Sequence, residues 1–314
     1  MNKASHSDLA NRLANRMRSK GVIAQPLCCA EIGARKPLTS TDGGEPFYQL
    51  ADINILAFEA DQIEAARLNV GRSDHNRSVM VVNAAVSGTN GEAVLFVTRN
   101  PKCSSLYKPN ENLIARYPGL SVAALDHTVR VPTVTLASAL STVGWPEVHF
   151  LKMDVQGAEL DVLKGAGAAL NRVVAVVTEV SFQPIYEGQP LAEDVFSELR
   201  RNGFEFYRHI QQGGFPRENA RRDQMQVLWA DVLFLRSPEL LVGEDAARLA
   251  VFATLYGAFD IAECALQRVS SEDKAWLVRE IRRPFHDLIT DIRYQARRIR
   301  RGVMRRMLAF TRPI

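Results

Sequence analysis

The sequence predicts an α/β fold, a mostly parallel sheet covered by helices on both faces. Three observations carry that prediction. Short, nearly continuous apolar runs recur through the middle of the chain, polar-faced helical stretches lie between several of them, and acidic residues close a number of the runs. Runs without polar alternation suit strands buried on both faces, and strands joined through helices run parallel. With 314 residues, 46% hydrophobic and 24% charged, the chain can bury a sizeable core and is too apolar for disorder throughout.

The elements follow in order. Residues 5–20 place Leu9, Leu13 and Met17 four apart and predict a leading helix. Strands are expected at Leu27–Ile32, Ile53–Glu59, Val79–Val86, Val148–Asp154, Val173–Val180, Phe204–Arg208 and Val227–Leu235. Helices are expected at Gln62–Asn69, Ala158–Leu170 and Leu191–Asn202. Residues 93–98 and 129–136 alternate apolar and polar like edge strands, and Arg99–Pro118 between them, rich in Pro, Asn and Ser, reads as an insertion over one end of the sheet. From Ser237 the strands stop, and Ala246–Phe259, Ile261–Val269 and Lys274–Arg283 read as helices. Ser-Pro and Val-Gly punctuation there divides the chain into an N-terminal helix (1–22), a central domain (23–240) and a helical extension (241–314).

Charge and cysteine usage narrow the class. Residues 291–314 hold eight arginines and one aspartate, which leaves the first 290 residues at −3 against a total of +4. The body is mildly acidic and the tail strongly basic. Cys28, Cys29, Cys103 and Cys264 form no C-x-x-C pair, and the six histidines show no H-x-x-x-H spacing, so no metal site built on His or Cys is expected. No run of 18 apolar residues occurs, and the basic N-terminus leads into no apolar core. The expectation is a protein of the reducing cytoplasm.

Chemistry concentrates at three strand ends. In Cys29-Ala30-Glu31-Ile32-Gly33-Ala34, an apolar strand ends in an acid and then a glycine, where a doubly wound sheet lets its backbone approach a ligand. The following residues lack the second glycine of G-x-G-x-x-G, which argues against a dinucleotide. In Ala57-Phe58-Glu59-Ala60-Asp61, Glu59 closes the next strand, where a carboxylate can grip both hydroxyls of a ribose. The third is Phe150-Leu151-Lys152-Met153-Asp154-Val155-Gln156-Gly157-Ala158-Glu159, whose charges are too dense for a core strand and whose glycine permits a tight turn into a helix. Acids at the start of that helix also suit its dipole.

The run Lys152–Ala166 resembles the hallmark of the FkbM family of S-adenosylmethionine-dependent methyltransferases. Glu31–Ala34, Phe58–Asp61, Asn83–Ser87, Cys103–Leu106, Thr178–Phe182 and Ala230–Phe234 resemble its other segments in the same order. The resemblance spans roughly residues 26–236. It implies a Rossmann-like methyltransferase sheet, mostly parallel with an antiparallel last strand, and S-adenosyl-L-methionine as cofactor. It further implies that Glu31, Gly33, Ala34, Glu59, Ala60, Asn83 and Ala84 hold that cofactor, with Asp154 near its methionine portion. Asp154, Lys152, Glu159 and Glu179 are then the candidates for acceptor orientation or proton transfer, with no single base singled out. Asp154 and Glu179 together could alternatively hold a divalent cation. Ser104, Ser105, Gln156, Gln183 and Tyr186 are the candidate acceptor contacts; the Gln156 amide can donate a hydrogen bond but cannot act as a base. The implied acceptor is a hydroxyl on a sugar, glycan or natural-product scaffold.

The tail adds one more expectation. Ile292, Ala296, Ile299, Val303, Met307 and Phe310 make an apolar stripe on a helix otherwise covered by arginines. Such a helix packs on its neighbours, or lies on an anionic membrane surface and makes the protein peripheral there. Nucleic acid is the weakest partner, because aromatics are sparse and the body is acidic. A noncatalytic scaffolding protein with this fold and tail is the competing class.

Overall fold

The computed structural model describes residues 3–34, 46–69, 77–220, 225–269, 275 and 278–280. The basic segment 291–314, Arg35 and the polar stretch 38–45 lie outside them, as does all but 275 and 278–280 of the last expected helix. Among the described residues, no helix is long and apolar enough to cross a membrane.

A seven-stranded sheet runs β3-β2-β1-β7-β8-β10-β9, built from β1 (Leu27–Ile32), β2 (Ile53–Phe58), β3 (Arg77–Val82), β7 (Phe150–Met153), β8 (Ala175–Ser181), β9 (Phe204–Phe215) and β10 (Gln226–Arg236). The pairs β1·β2, β2·β3, β1·β7 and β7·β8 are parallel. The last strand, β10, is antiparallel to both neighbours, as expected. From β1 the chain moves outward to β2 and β3, then returns to place β7 on the other side of β1. That reversal opens a crevice outside the carboxyl ends of β1 and β7.

Alternation along each strand assigns side chains to two helical layers. Leu27, Cys29 and Phe150 face a layer made by α1 (Lys3–Ser19), α7 (Gly243–Leu255) and α8 (Phe259–Gln267). Ala30, Ile32, Leu151 and Met153 face the other, made by α4 (Leu136–Val143), α5 (Glu159–Ala166) and α6 (Ala192–Arg201). The first and last described helices therefore share one core with the sheet.

Several expectations shift. The single strand expected at Val79–Val86 is broken: after β3 the chain turns at Asn83-Ala84, and β4 (Ala85–Val86) leaves the main sheet. β4 joins β5 (Gly91–Thr98) and β6 (Leu125–Val134) in a second, three-stranded sheet, which absorbs the two expected edge strands. β6 stops before α4 because the Thr135 hydroxyl caps that helix by accepting from the Ser138 N–H (3.1 Å), so residue 136 is helical. The helix expected over Ala158–Leu170 ends at Ala166, where Gly167 turns with φ of +50° into a 3-10 turn. α2 (Gln62–Asn69) lies as expected, with Asp61 accepting from the N–H groups of Ile63 and Glu64 at its start.

At the end of the sheet away from the crevice, an ionic cluster ties α7 to the strands. Arg248, 1% exposed, donates to Glu147 (2.7 Å), Glu244 (2.8 Å) and Asp245 (2.9 Å). Arg172 reaches Glu147 and Asp245 from the 3-10 turn before β8. Burial alone would raise the Glu147 carboxyl, but hydrogen bonds from Arg172 and His149 and the Arg248 charge bring it down to about 2. His149 accepts from the Cys28 N–H (2.9 Å), and burial beside Arg248 lowers it to about 4. Removing the central cation takes one partner from each of three carboxylates, of which Glu147 and Asp245 keep Arg172. Arg248→Met should cost about 3–5 kcal/mol in urea denaturation at neutral pH, and a loss under about 1 kcal/mol would show that the cluster is decorative.

Candidate active site

The crevice is a cleft of about 940 Å³, its mouth included, lined from the carboxyl ends of β1, β2 and β7, from the turn after β3 and from residues 101–106. Its floor is the close approach of two strand ends. Gly33 sits at φ of +85°, and a Cβ there would lie 2.0 Å from the Asp154 carbonyl oxygen. Only glycine fits both the backbone angle and the contact. The Asp154 N–H donates to the Ile32 oxygen (3.0 Å), while Gly33 and Ala34 donate to the Phe58 oxygen (3.1 and 2.9 Å), so three strand ends close on one point.

Carboxylates surround this floor. Glu31, nearly buried, accepts from the buried Tyr48 hydroxyl and is the register neighbour of Lys152, so both point to the same face of the sheet. Glu59, also nearly buried, accepts from the Asp61 N–H (2.8 Å). Asn83 is exposed, and its amide donates to the carbonyls of Glu59 (2.9 Å) and Ala60 (3.2 Å), fixing that turn. Lys152 is 4% exposed, with its ammonium 3.4 Å from Asp154.

The turn after β7 is built around Gln156, a non-glycine residue at φ of +56°. Its Nε2 donates to Asp154 Oδ1 (2.9 Å) and to Glu179 Oε1 (3.1 Å). Its carbonyl accepts from the Ser105 hydroxyl (2.6 Å), and its Oε1 lies 3.0 Å from the Tyr186 hydroxyl. Glu159 turns back on the same loop and accepts from the N–H groups of Val155 (3.0 Å) and Gly157 (2.9 Å). Burial, with Asp154 nearby, raises its carboxyl to about 7 against those hydrogen bonds. Glu179 is pushed well above the ordinary carboxylate range, first by burial and then by Asp154, Glu159 and Asp231.

Residues 101–110 cross the cleft as a strap. Tyr107 donates to Asp161 (2.8 Å), the Tyr186 hydroxyl donates to the Cys103 carbonyl (2.7 Å), and the backbone bonds to residues 185–187 through Lys108 and Asn110. The Ser105 hydroxyl, already donating to Gln156, also accepts from the Tyr107 N–H (2.9 Å).

Of the residues singled out in the sequence, Glu31, Gly33, Glu59, Ala60, Ala84, Ser104, Ser105, Lys152, Asp154 and Gln156 line this one cleft. Ala34, Asn83, Glu159, Glu179, Gln183 and Tyr186 are not among the lining residues. Tyr186 is 1% exposed, and Gln183 donates to the Phe182 carbonyl. Sequence reasoning passed over Tyr48, the partner of Glu31, because nothing in its spacing marks it. It also passed over Lys102 and Leu95, which add to the lining.

The profile of the methyltransferase FkbM domain matches residues 32–206. The 2-O-methyltransferase NoeI of Sinorhizobium fredii is 29% identical over 143 residues, covering 43% of this chain and 56% of that protein, so the chain spans just over half the length of this relative. Solved structures that resemble it include a putative RNA methyltransferase, PH1948, from Pyrococcus horikoshii (12% identity, 72% of this chain and 82% of that chain, TM-score 0.32). Another is magnesium protoporphyrin IX methyltransferase from Synechocystis PCC 6803 (10% identity, 74% and 80%, TM-score 0.31). With more than half of its residues matched by the family profile, and with the strand-end acids and the Gly33 approach gathered in a single cleft, the chain belongs to the FkbM methyltransferase family.

Proposed function

We propose that the protein transfers a methyl group from S-adenosyl-L-methionine to a hydroxyl of a sugar, glycan or natural-product acceptor. The observation that carries this reading is the cleft floor, where a glycine that admits no Cβ is ringed by Glu31, Glu59 and Asp154. Acidic walls suit a ligand bearing both an ammonium and a sulfonium, and a carboxylate at the end of β2 suits a ribose. The 2-O-methyltransferase relative supports a hydroxyl as the acceptor.

On this reading Glu31, Gly33, Glu59, Ala60 and Ala84 hold the cofactor, which supplies an electrophilic methyl group when bound. Asn83 acts behind them by fixing the Glu59 turn. Asp154 faces the cleft and takes the acceptor's proton, while Lys152 favours its ionised form. Glu159 holds the loop through backbone N–H groups. The strap, with Ser104 and Lys102 on its cleft side, aligns the acceptor and excludes water.

Three outcomes test this. Glu59→Ala should weaken cofactor binding roughly tenfold or more in calorimetry, since charged hydrogen bonds contribute about 1.5–3 kcal/mol; unchanged affinity would remove the ribose assignment. Asp154→Asn should lower turnover by about 10²–10⁴ while changing cofactor affinity far less, and a wild-type rate would make it a turn residue. Gly33→Ala should abolish cofactor binding and lower the melting temperature, because its Cβ must displace the Asp154 backbone. A variant that binds normally would disprove the close approach.

A further inference from the structure

Building on the proposed activity, we infer that Gln156 is a positioning residue that uses its side-chain amide, held from behind by Tyr186, to keep Asp154 and Glu179 side by side as a carboxylate pair. Continuing the β7·β8 register past Met153↔Thr178 sets Asp154 beside Glu179, and Glu179 is itself paired with Asp231 of β10. Three acids thus sit in neighbouring register positions along one edge. Around Glu179 the charged and titratable groups are Asp154 and Lys152 from the β7 end, Glu159 from α5, Asp231 from β10, and Cys103 and Tyr186 from the strap and its anchor. Only Lys152 among these is a cation, and its ammonium is placed against Asp154 Oδ2.

The two hydrogens of the Gln156 amide match the two carboxylate oxygens that face it, one at 2.9 Å and one at 3.1 Å. A half-turn of the amide would set its oxygen against both carboxylates instead. The carboxylates therefore select the nitrogen whenever they are ionised, and the nitrogen in turn favours their ionised forms. Two features stop the side chain from moving away. Its backbone is held at φ of +56° by the Ser105 hydroxyl on its carbonyl, a conformation that a side chain of this size adopts only when its surroundings impose it. Its Oε1 meets the Tyr186 hydroxyl, which burial keeps protonated and which shares its proton with the Cys103 carbonyl. Gln156 lines the cleft, yet both amide hydrogens are spent on this pair, so its contribution runs through Asp154 and Glu179.

The test is a titration of the full-length, ligand-free protein with ¹³C-labelled carboxyl groups. Gln156→Met keeps the length of the side chain and the same backbone demand but removes both donors. It should raise the apparent midpoint of the Asp154–Glu179 pair by about one pH unit, tenfold in proton affinity. Tyr186→Phe should raise it by less, and should add nothing in the Gln156→Met background. An unchanged or lowered midpoint in Gln156→Met overturns the inference, as does a Tyr186→Phe shift that persists in that background. In an active enzyme, the acid limb of the kcat/KM profile should move upward with the midpoint. Failure of S-adenosyl-L-methionine to bind the wild type would overturn the methyltransferase reading, while the titration still decides this inference.

Discussion

Like charges crowd the carboxyl edge of this sheet, and the local structure is organised by the need to hold them together. Asp154, Glu159, Glu179 and Asp231 converge where β7 ends beside β8 and β10, with Lys152 one step back in the strand. Burial and Coulomb repulsion among acids a few ångströms apart push Glu159 and Glu179 toward their neutral forms, and hydrogen-bond donors oppose that push. The chain supplies those donors from the backbone of residues 155 and 157, from the Gln156 amide and from the Lys152 ammonium. A loop that supplies so many donors in three residues must bend sharply, which explains why Gln156 and Gly157 both take positive φ there.

Support for that edge comes from well outside it. The sheet is clamped between two helical layers, and one of them joins the beginning of the described chain to its end through α1, α7 and α8. The Arg248 cluster fastens α7 to the strands at the opposite end from the cleft. Backbone strain and crowded acids thus sit at one end, while an ionic cluster of both signs anchors the other.

Much of the fold was legible in the sequence because parallel strands buried on both faces are near-continuous apolar runs, and because acids at their ends stand out against those runs. Glu31, Glu59 and Asp154 were visible for that reason, and Gly33 because it follows a strand. What could not be read was side-chain direction after a turn. Gln156 suits an acceptor contact by position, yet its left-handed backbone sends the amide onto two carboxylates. Tyr186 is an acceptor contact by the resemblance and is instead buried behind Gln156. The apolar run 79–86 concealed the break at Asn83, because alternation reports burial and not the sheet in which it occurs. α4 was hidden for a related reason: the edge-strand pattern runs directly into Thr135, whose capping bond is the only local signal of a change.

The strap and the floor are two differently built walls of one cleft. Among the described residues the strap's fastenings include Asp161, Gln156, Tyr186, the backbone of residues 185–187 and Phe96 of β5. Lys102 and Ser104, which face the cleft, are not part of the fastening to the Gln156 loop, whereas Ser105 is. New side chains at those two positions would reshape the cleft wall, while the floor, set by backbone contact between Gly33 and Asp154, would stay as it is.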